Sequence, residues 1–223
     1  LAWILSTILG LVAAIYSVLR VFPAVMRKDI KPIFEGRRLL KFSLPLAFGE
    51  FVWFILLWTD IFMLGYSRPA ADVGVYRAAS QTAVLTTLFL TSLNTIFAPM
   101  IADLHNRKEV EKMRQVFKIT TRWSFSLTLP LFLVVGIASQ DILGIFGPEF
   151  AMGWLPLIIL SAGQLVNAGT GGVGYMLIMS GHQYSKFLGD LILAITNVLL
   201  NIMLIPRWGL LGAAVAMAIS IGG

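Results

Sequence analysis

The sequence predicts an all-α integral membrane protein, a polytopic helical bundle with about seven transmembrane segments present. The first reason is composition: 58% of the 223 residues are hydrophobic and 13% are charged, whereas soluble domains carry about 25% charged residues. The second is a mean hydropathy of +0.86. The third is that the apolar residues are gathered into long stretches joined by short connections.

Seven stretches of the sequence are predicted to cross the membrane as helices. A bilayer core of about 30 Å requires about 20 apolar helical residues, and a lipid-exposed strand would leave backbone groups unpaired. Segment 141–153 is too short and too interrupted to cross, so we expect it to lie at the outer surface. The predicted spans are residues 1–26, 42–65, 73–103, 119–138, 154–179, 187–205 and 210–223.

The charged segment 27–41 is predicted to be a cytoplasmic linker between two lobes. It would join residues 1–26, the last helix of a preceding N-terminal lobe, to a six-helix lobe at 42–223. The chain starts and stops inside apolar helical sequence. We therefore expect the first lobe and the end of the last helix to belong to a longer protein.

Lysine and arginine residues are distributed unequally between the two ends of the predicted helices. Thirteen of the seventeen lie in or beside segments 27–41, 104–118 and 180–186, and two, Arg68 and Arg207, lie in the opposite loops. Because cytoplasmic loops carry the excess of basic residues, those three segments are predicted to be cytoplasmic, in a plasma or inner membrane. The net charge of +6 then reflects topology and contact with membrane lipids, and nucleic acid is not an expected partner.

The sequence lacks the residue patterns of several catalytic and metal sites. It has no cysteine and no P-loop, and His105 and His182 have no metal-ligand spacing with the acids. No HExxH, GxSxG or carboxylate pair lies in a loop large enough for an active site. We therefore expect no enzymatic activity, no catalytic residue, no cofactor and no bound metal.

Polar side chains recur on one face of four predicted spans. Amide and ionisable side chains inside a membrane helix cost free energy, so they usually face a bundle interior or a wet cavity. The alternative interpretation is hydrogen bonding between helices, worth about 0.6 kcal/mol per contact. The candidate residues of a substrate cavity are Arg77, Gln81, Asn94, Gln164, Asn167, Asp190, Asn197 and Asn201.

Glu50 and Asp60 are the candidates for ion coupling. Glu50 lies near the middle of its span. It would either exchange a proton as a coupling group or have a structural role, held neutral or paired with an arginine of another helix. Asp60 and Arg77 lie at similar depth on either side of the turn at 66–72, and this position predicts an ion pair between them. If this ion pair does not form, Arg77 is the residue that would attract an anionic head group from the outer half of the cavity.

Prolines and glycines interrupt the predicted spans. Each proline removes a backbone N–H and tends to kink its helix, and the run 163–181 contains six glycines. These features suit a bundle that changes shape, although close helix packing also uses small residues. The prolines within or at the ends of spans are Pro45, Pro99, Pro130 and Pro156.

Seven stretches form a series along residues 39–220: LLKFSLPL (39–46), WTDIFMLG (58–65), VGVYRAAS (73–80), IFAPMIADL (96–104), DILGIFGPEF (141–150), GQLVNAGTGGVGYMLIMSG (163–181) and LIPRWGLLGAAVAMAIS (204–220). In this order and spacing they resemble the C-terminal half of polysaccharide-biosynthesis flippases of the O-antigen type. That family belongs to the superfamily that also contains multidrug and toxic-compound extrusion transporters.

The resemblance implies two six-helix lobes around a central cavity. Such a protein moves a polyprenyl-pyrophosphate-linked oligosaccharide to the outer leaflet by alternating access, with polysaccharide polymerase or glycosyltransferases as further partners. Pro45 and Asp60 match positions where the family often has the same residue, whereas Glu50 and Arg77 are less typical. The alternatives are a cation-coupled extruder of drugs or toxic compounds with the same fold, and a membrane-embedded sugar-transferring enzyme.

Overall fold

A computed structural model describes residues 2–21 and 36–222 of the chain. No β-strand occurs in these ranges, which confirms the predicted all-α class. Two short 3-10 helices are present, Leu85–Thr87 and Pro148–Gly153. The α-helices of the described residues are α1 (Ala2–Val21), α2 (Gly36–Ser67), α3 (Ala70–Val84), α4 (Leu88–Asn106), α5 (Val110–Ile137), α6 (Ser139–Gly144), α7 (Trp154–Thr170), α8 (Val173–Met179), α9 (Gln183–Trp208) and α10 (Leu210–Gly222).

Five stretches of the described residues are long and apolar enough to cross a membrane. Two shorter apolar helices, Leu5–Ser17 and Leu210–Gly222, correspond to the first and last predicted spans. The prediction of a multi-pass membrane bundle is therefore confirmed, although the seven segments are unequal in length. The five long stretches are Leu39–Ser67, Ala70–Asn106, Val110–Ile137, Pro148–Thr170 and Gln183–Trp208.

The chain divides into two compact units, Leu1–Leu40 and Lys41–Gly223. In the first unit, apolar side chains of α1 such as Leu9 and Tyr16 are exposed. The second unit holds every candidate site residue. Of the predicted linker 27–41, residues 27–35 lie outside the described residues, and 36–41 begin helix α2 rather than forming a loop.

The second unit is built around a main core and a smaller second core. The second core consists of Phe97, Ile101 and Met113 from α4 and α5, and Met176 and Met179 of α8 pack against it. α7 and α8 therefore pack on different cores, although they follow each other in the chain. The buried residues of the main core are Leu56, Leu64, Tyr76, Ala79, Ala83, Val135, Leu143, Leu157, Leu160, Ala194, Ile205, Ala213, Ala214 and Met217.

Small residues set the spacing of α10 against its two neighbours. A Cβ atom on Gly163 of α7 would lie 2.7 Å from the Cα atom of Ala218. A Cβ atom on Gly212 would overlap the carbonyl oxygen of Leu204 in α9. Both pairs of backbones approach closely because these side chains are absent, as is common between membrane helices.

The predicted span 154–179 is not one helix, so this prediction is wrong. α7 ends at Thr170, and the chain turns at Gly171, whose φ of +76° lies in the left-handed region that favours glycine. The side chain of Thr121 in α5 occupies the position that a Cβ atom of Gly171 would take. α8 then begins at Val173 and runs along the second core.

Two further boundaries differ from those predicted. The predicted span 73–103 is divided by the 3-10 turn Leu85–Thr87. The predicted loop 104–118 is mostly helical, because α4 continues to Asn106 and α5 begins at Val110. The charged residues of this segment are good helix formers, and charge alone therefore overstated the length of the loop.

Candidate functional site

The polar residues predicted to share one face of the span 187–205 do so in the structure. α9 is continuous from Gln183 to Trp208, so residues that align at 100° per residue stay aligned. Asp190, Asn197 and Asn201 are each at most 5% exposed. This face is therefore turned into the second unit.

Asp60 is the centre of a hydrogen-bonded cluster that joins α2, α3, α9 and α10. The Tyr76 hydroxyl donates to Asp60 Oδ2 at 2.6 Å, and Asn201 Nδ2 donates to Asp60 Oδ1 at 2.6 Å. The same Nδ2 group donates to Asn197 Oδ1 at 2.9 Å, and Asn197 Nδ2 lies 3.9 Å from Met217 Sδ. We call these five residues the Asp60 cluster. Both carboxyl oxygens contact neutral donors, whereas Asn201 Oδ1 is buried without a partner in the described part of the chain.

The Asp60 cluster contains a single ionisable group that can carry a negative charge at neutral pH. Asp60 is 1% exposed and is the cluster's one ionisable carboxyl, surrounded by amides and a hydroxyl. Across residues 2–21 and 36–222, no group of three or more His, Asp or Glu side chains could hold a metal ion. Calcium sites in proteins use six to eight oxygen ligands, commonly including several carboxylates.

The predicted ion pair between Asp60 and Arg77 is wrong. Arg77 is half-buried, and its Cζ atom lies 5.0 Å from the centroid of the Trp58 ring. No carboxylate of the described residues forms an ion pair with it. Successive side chains on a helix point about 100° apart. Because Tyr76 is directed at Asp60, its neighbour Arg77 is directed elsewhere, onto Trp58.

Asp190, a candidate cavity residue, forms an ion pair within its own helix. Lys186 Nζ lies 2.5 Å from Asp190 Oδ2, and the two side chains are 20% and 7% exposed. The same ammonium group lies 5.9 Å from the centroid of the Trp53 ring. Gly49 lets α2 approach this pair, since a Cβ atom there would be 3.3 Å from Asp190 Oδ2.

Three amide candidates form no hydrogen bond with the Asp60 cluster. Asn94 is 5% exposed, and its Oδ1 atom would be 2.5 Å from a Cβ atom on Gly172, just after the end of α7. Asn167 Nδ2 donates to Gln164 Oε1 at 3.4 Å, and both side chains are half-buried on α7. The structure therefore does not bring all eight candidate cavity residues to one place.

Three candidates are accessible from outside the second unit. Gln81 and Glu50 are exposed and Arg77 is half-buried. Arg77 and Gln81 are four residues apart on α3, so they lie on the same face of that helix. They form an accessible polar edge, with one cation and one amide.

Hydroxyl groups between Ala70 and Asn106 are satisfied mainly by their own helix. Each donates to a carbonyl oxygen three or four residues earlier, so these hydroxyls need neither water nor a partner helix. These hydroxyl groups are therefore not evidence for a cavity. The residues concerned are Ser80, Thr82, Thr86, Thr87, Thr91, Ser92 and Thr95.

Sequence reasoning missed two residues that contact the charged candidates, Tyr76 and Trp58. A signal for Tyr76 was available. In a hairpin of two helices, residues at equal distances from the turn lie side by side, and Asp60 and Tyr76 are both eight residues from Arg68. An apolar aromatic such as Trp58 carries no comparable signal, because aromatic residues are common in membrane spans.

Comparisons with known proteins agree with this architecture. The MatE family model matches residues 45–163, more than half of the chain. A solved outward-facing structure of a multidrug resistance MATE family transporter of the MOP superfamily superposes with a TM-score of 0.69. The superposition covers 86% of this chain and 45% of that one at 17% identity, so it establishes a shared fold.

Three curated proteins are similar in sequence, each at 27% identity. A probable low-salt glycan biosynthesis flippase of Haloferax volcanii matches over 85% of this chain and 41% of its own length. A second probable flippase of that organism matches over 73% and 35%. A capsular polysaccharide biosynthesis protein of Staphylococcus aureus matches over 80% and 45%. The chain therefore spans less than half the length of each relative.

Proposed function

Since the chain belongs to the MatE family, we propose that the protein flips a polyprenyl-phosphate- or pyrophosphate-linked oligosaccharide from the cytoplasmic to the outer leaflet by alternating access. The exported glycan would be used for cell-surface polysaccharide biosynthesis. This activity needs no covalent chemistry, so we assign no catalytic residue and no cofactor. The protein would lie in the plasma or inner membrane with segments 27–41, 104–118 and 180–186 cytoplasmic.

The observation that carries this proposal is that Arg77 is half-buried and has no carboxylate partner among the described residues. A charge within a membrane helix costs up to about 2.5–3.5 kcal/mol at the helix centre, and a cation–π contact such as that with Trp58 offsets about 0.5–2 kcal/mol. No described carboxylate neutralises the guanidinium. A half-buried, unpaired arginine favours an anionic substrate, and a guanidinium binds phosphate oxygens by paired hydrogen bonds.

The names of the three curated relatives support the same substrate class. Two are described as probable flippases, one of them in glycan biosynthesis, and the third as a capsular polysaccharide biosynthesis protein. A lipid-linked oligosaccharide would be consistent with flipping and with glycan or polysaccharide biosynthesis, and we propose it as the substrate of this chain. Polysaccharide polymerase or glycosyltransferases would then act before or after transport.

Within this proposal, the accessible edge formed by Arg77 and Gln81 would meet the substrate first. Gln164 and Asn167 are half-buried and would contribute when the bundle changes shape. Asn94, Asp190, Asn197 and Asn201 are buried with close neighbours, so they would reach the substrate only in another conformation.

Ion coupling is proposed for Asp60 and Glu50. Asp60 would exchange a proton or a monovalent cation, and its oxygen-rich cluster would hold the ion. Because the cluster joins four helices, a change in its charge would alter the packing between them. Glu50 is exposed and would exchange its proton directly with the cavity.

A second function, cation-coupled efflux of drugs or toxic compounds, is favoured by Glu50. This carboxyl is exposed on α2 and pairs with no described cation. An accessible acid would attract a cationic compound, whereas Arg77 would repel it. The two functions therefore differ in the effect expected for Arg77, whose loss should impair flipping of an anionic lipid but not efflux of a cation.

The test compares charge variants of the full protein in its own cell. Loss of a charge-assisted hydrogen bond costs about 1.5–3 kcal/mol, so Arg77→Gln should lower export of surface glycan by roughly tenfold or more. Arg77→Lys keeps the charge and should retain part of the activity. Arg107→Gln is the matched control, because Arg107 is an exposed arginine that pairs with Asp103 at the end of α4.

Membrane abundance of each variant is measured by immunoblot, and lipid-linked oligosaccharide by its sidedness in vesicles. Under the flippase proposal, Arg77→Gln traps the oligosaccharide on the cytoplasmic side, and Glu50→Gln also lowers export by impairing coupling. Normal glycan export together with new drug sensitivity in Glu50→Gln would establish the efflux alternative instead.

A further inference from the structure

A cavity of about 370 Å³ opens where three connections of the second unit meet. They are the α2–α3 turn, the segment before α7 and the α9–α10 turn, represented among the lining residues by Arg68, Met152 and Gly209. Its volume falls in the range of roughly 300–1,000 Å³ that is usual for small-ligand sites. All three connections belong to the end of the bundle that the distribution of basic residues predicts to face outward.

Arg68 supplies the charge of this cavity. It forms no ion pair with a carboxylate of the described residues, and the cavity lining contains no other charged side chain in the described part of the chain. Its guanidinium lies against Gly209, where a Cβ atom would be 3.1–3.4 Å from Nη2, Cζ and Nε. Gly209 also has a φ of +57°, so glycine allows both the turn and this contact.

Two tryptophans favour a position of the cavity at the level of lipid head groups. Trp154 and Trp208 line it and are 39% and 56% exposed, and tryptophan is enriched where membrane helices meet the water interface. Helix α10 begins at the cavity, so the positive end of its dipole adds to the potential of Arg68. Leu155 and Leu210 make part of the wall apolar, which suits the first carbons of a lipid chain.

We propose that this cavity binds the phosphate of a membrane-lipid head group, held by Arg68 between Trp154 and Trp208. Anionic phospholipids and polyprenyl carriers both carry such a phosphate. The inference concerns a binding site at the outer surface and does not require the proposed transport activity.

The experiment measures lipid binding to the full purified protein by native mass spectrometry. The protein in detergent is titrated separately with phosphatidylglycerol, with a polyprenyl diphosphate and with diacylglycerol, which lacks phosphate. Arg68→Gln should raise the Kd for the phosphate lipids about tenfold, as expected for a lost charge-assisted hydrogen bond, and leave diacylglycerol unchanged. Arg68→Lys keeps the charge and should give an intermediate Kd.

Arg207→Gln is the matched control. Arg207 is the other basic residue at the predicted outer end of the bundle, lies in the last turn of α9 and does not line the cavity, so its substitution should leave the Kd unchanged. An effect of Arg68→Gln on both phosphate lipids supports a site for phosphate head groups in general, and an effect on the polyprenyl diphosphate alone assigns the site to the carrier. Equal Kd values for wild type and Arg68→Gln, or equal losses in Arg68→Gln and Arg207→Gln, would overturn the proposal. Thermal unfolding without lipid checks that each variant is folded.

Discussion

Gly163 is the position where the structure makes its most definite prediction about packing. A Cβ atom at Gly163 would lie 2.7 Å from the Cα atom of Ala218 and 3.1 Å from its carbonyl oxygen. Ordinary contacts between carbon atoms lie near 3.5–4.0 Å, so the substitution Gly163→Ala falls short by about 1 Å. Because the opposing atoms belong to the backbone, no side-chain rotation relieves the overlap, and α7 and α10 must move apart.

Overpacking of this kind costs about 1–3 kcal/mol. For a domain of this size, each kcal/mol corresponds to roughly 2–4 °C in Tm, so the midpoint of Gly163→Ala should fall by several degrees. The assay is thermal unfolding of the purified protein in detergent, followed by tryptophan fluorescence. Gly136→Ala in α5 is the control, because no heavy atom lies within 4 Å of its added Cβ. There, the change should be neutral or stabilise by up to about 1 kcal/mol. Equal midpoints for the two variants would refute the close contact of α7 with α10.

Two further predictions concern the Asp60 cluster and the break after α7. Tyr76→Phe removes the donor to Asp60 Oδ2 and should lower the free energy of unfolding by about 1–3 kcal/mol, whereas Tyr66→Phe, at a residue 96% exposed, should have no effect; equal stabilities would contradict the hydrogen bond. Gly171→Ala should lower the Tm, because its φ is +76° and its Cβ would overlap Thr121. Adding Thr121→Ala should restore only the part of the Tm loss that comes from this overlap. A double variant no more stable than Gly171→Ala alone would contradict the contact with Thr121.

The membrane spans could be predicted because hydropathy is summed over about 20 residues, so single exceptions do not change the result. The break at Gly171 could not be predicted in the same way. Six glycines lie between 163 and 181, and they have different surroundings: Gly163 contacts α10, whereas a Cβ on Gly174 would approach the side chain of Lys186. The sequence alone does not distinguish a glycine that ends a helix from one that allows close contact between helices, because the difference depends on their neighbours in the fold.

The polar faces show where helical periodicity is reliable. Along α9 the prediction of a common face holds, because the helix is continuous and its 100° step is maintained from Asp190 to Asn201. Between Arg77 and Asn94 the 3-10 turn Leu85–Thr87 intervenes. A 3-10 segment has 3.0 residues per turn, so the angular relation of residues on either side is lost.

The arrangement around Asp60 has a consequence for Arg77. Had the two residues formed an ion pair, their charges would have cancelled, and neither would have offered a net charge to a ligand. Instead, Tyr76 and Asn201 contact the two oxygens of Asp60 with neutral donors, and Arg77 keeps its positive charge against the face of Trp58. Under the coupling proposed above, the acid would change its protonation or bind a cation inside the bundle without removing the partner of the arginine at the accessible edge. Coupling and substrate binding would therefore use separate side chains on the same hairpin, so Tyr76→Phe should change the ion dependence of export while leaving the proposed phosphate contact of Arg77 in place.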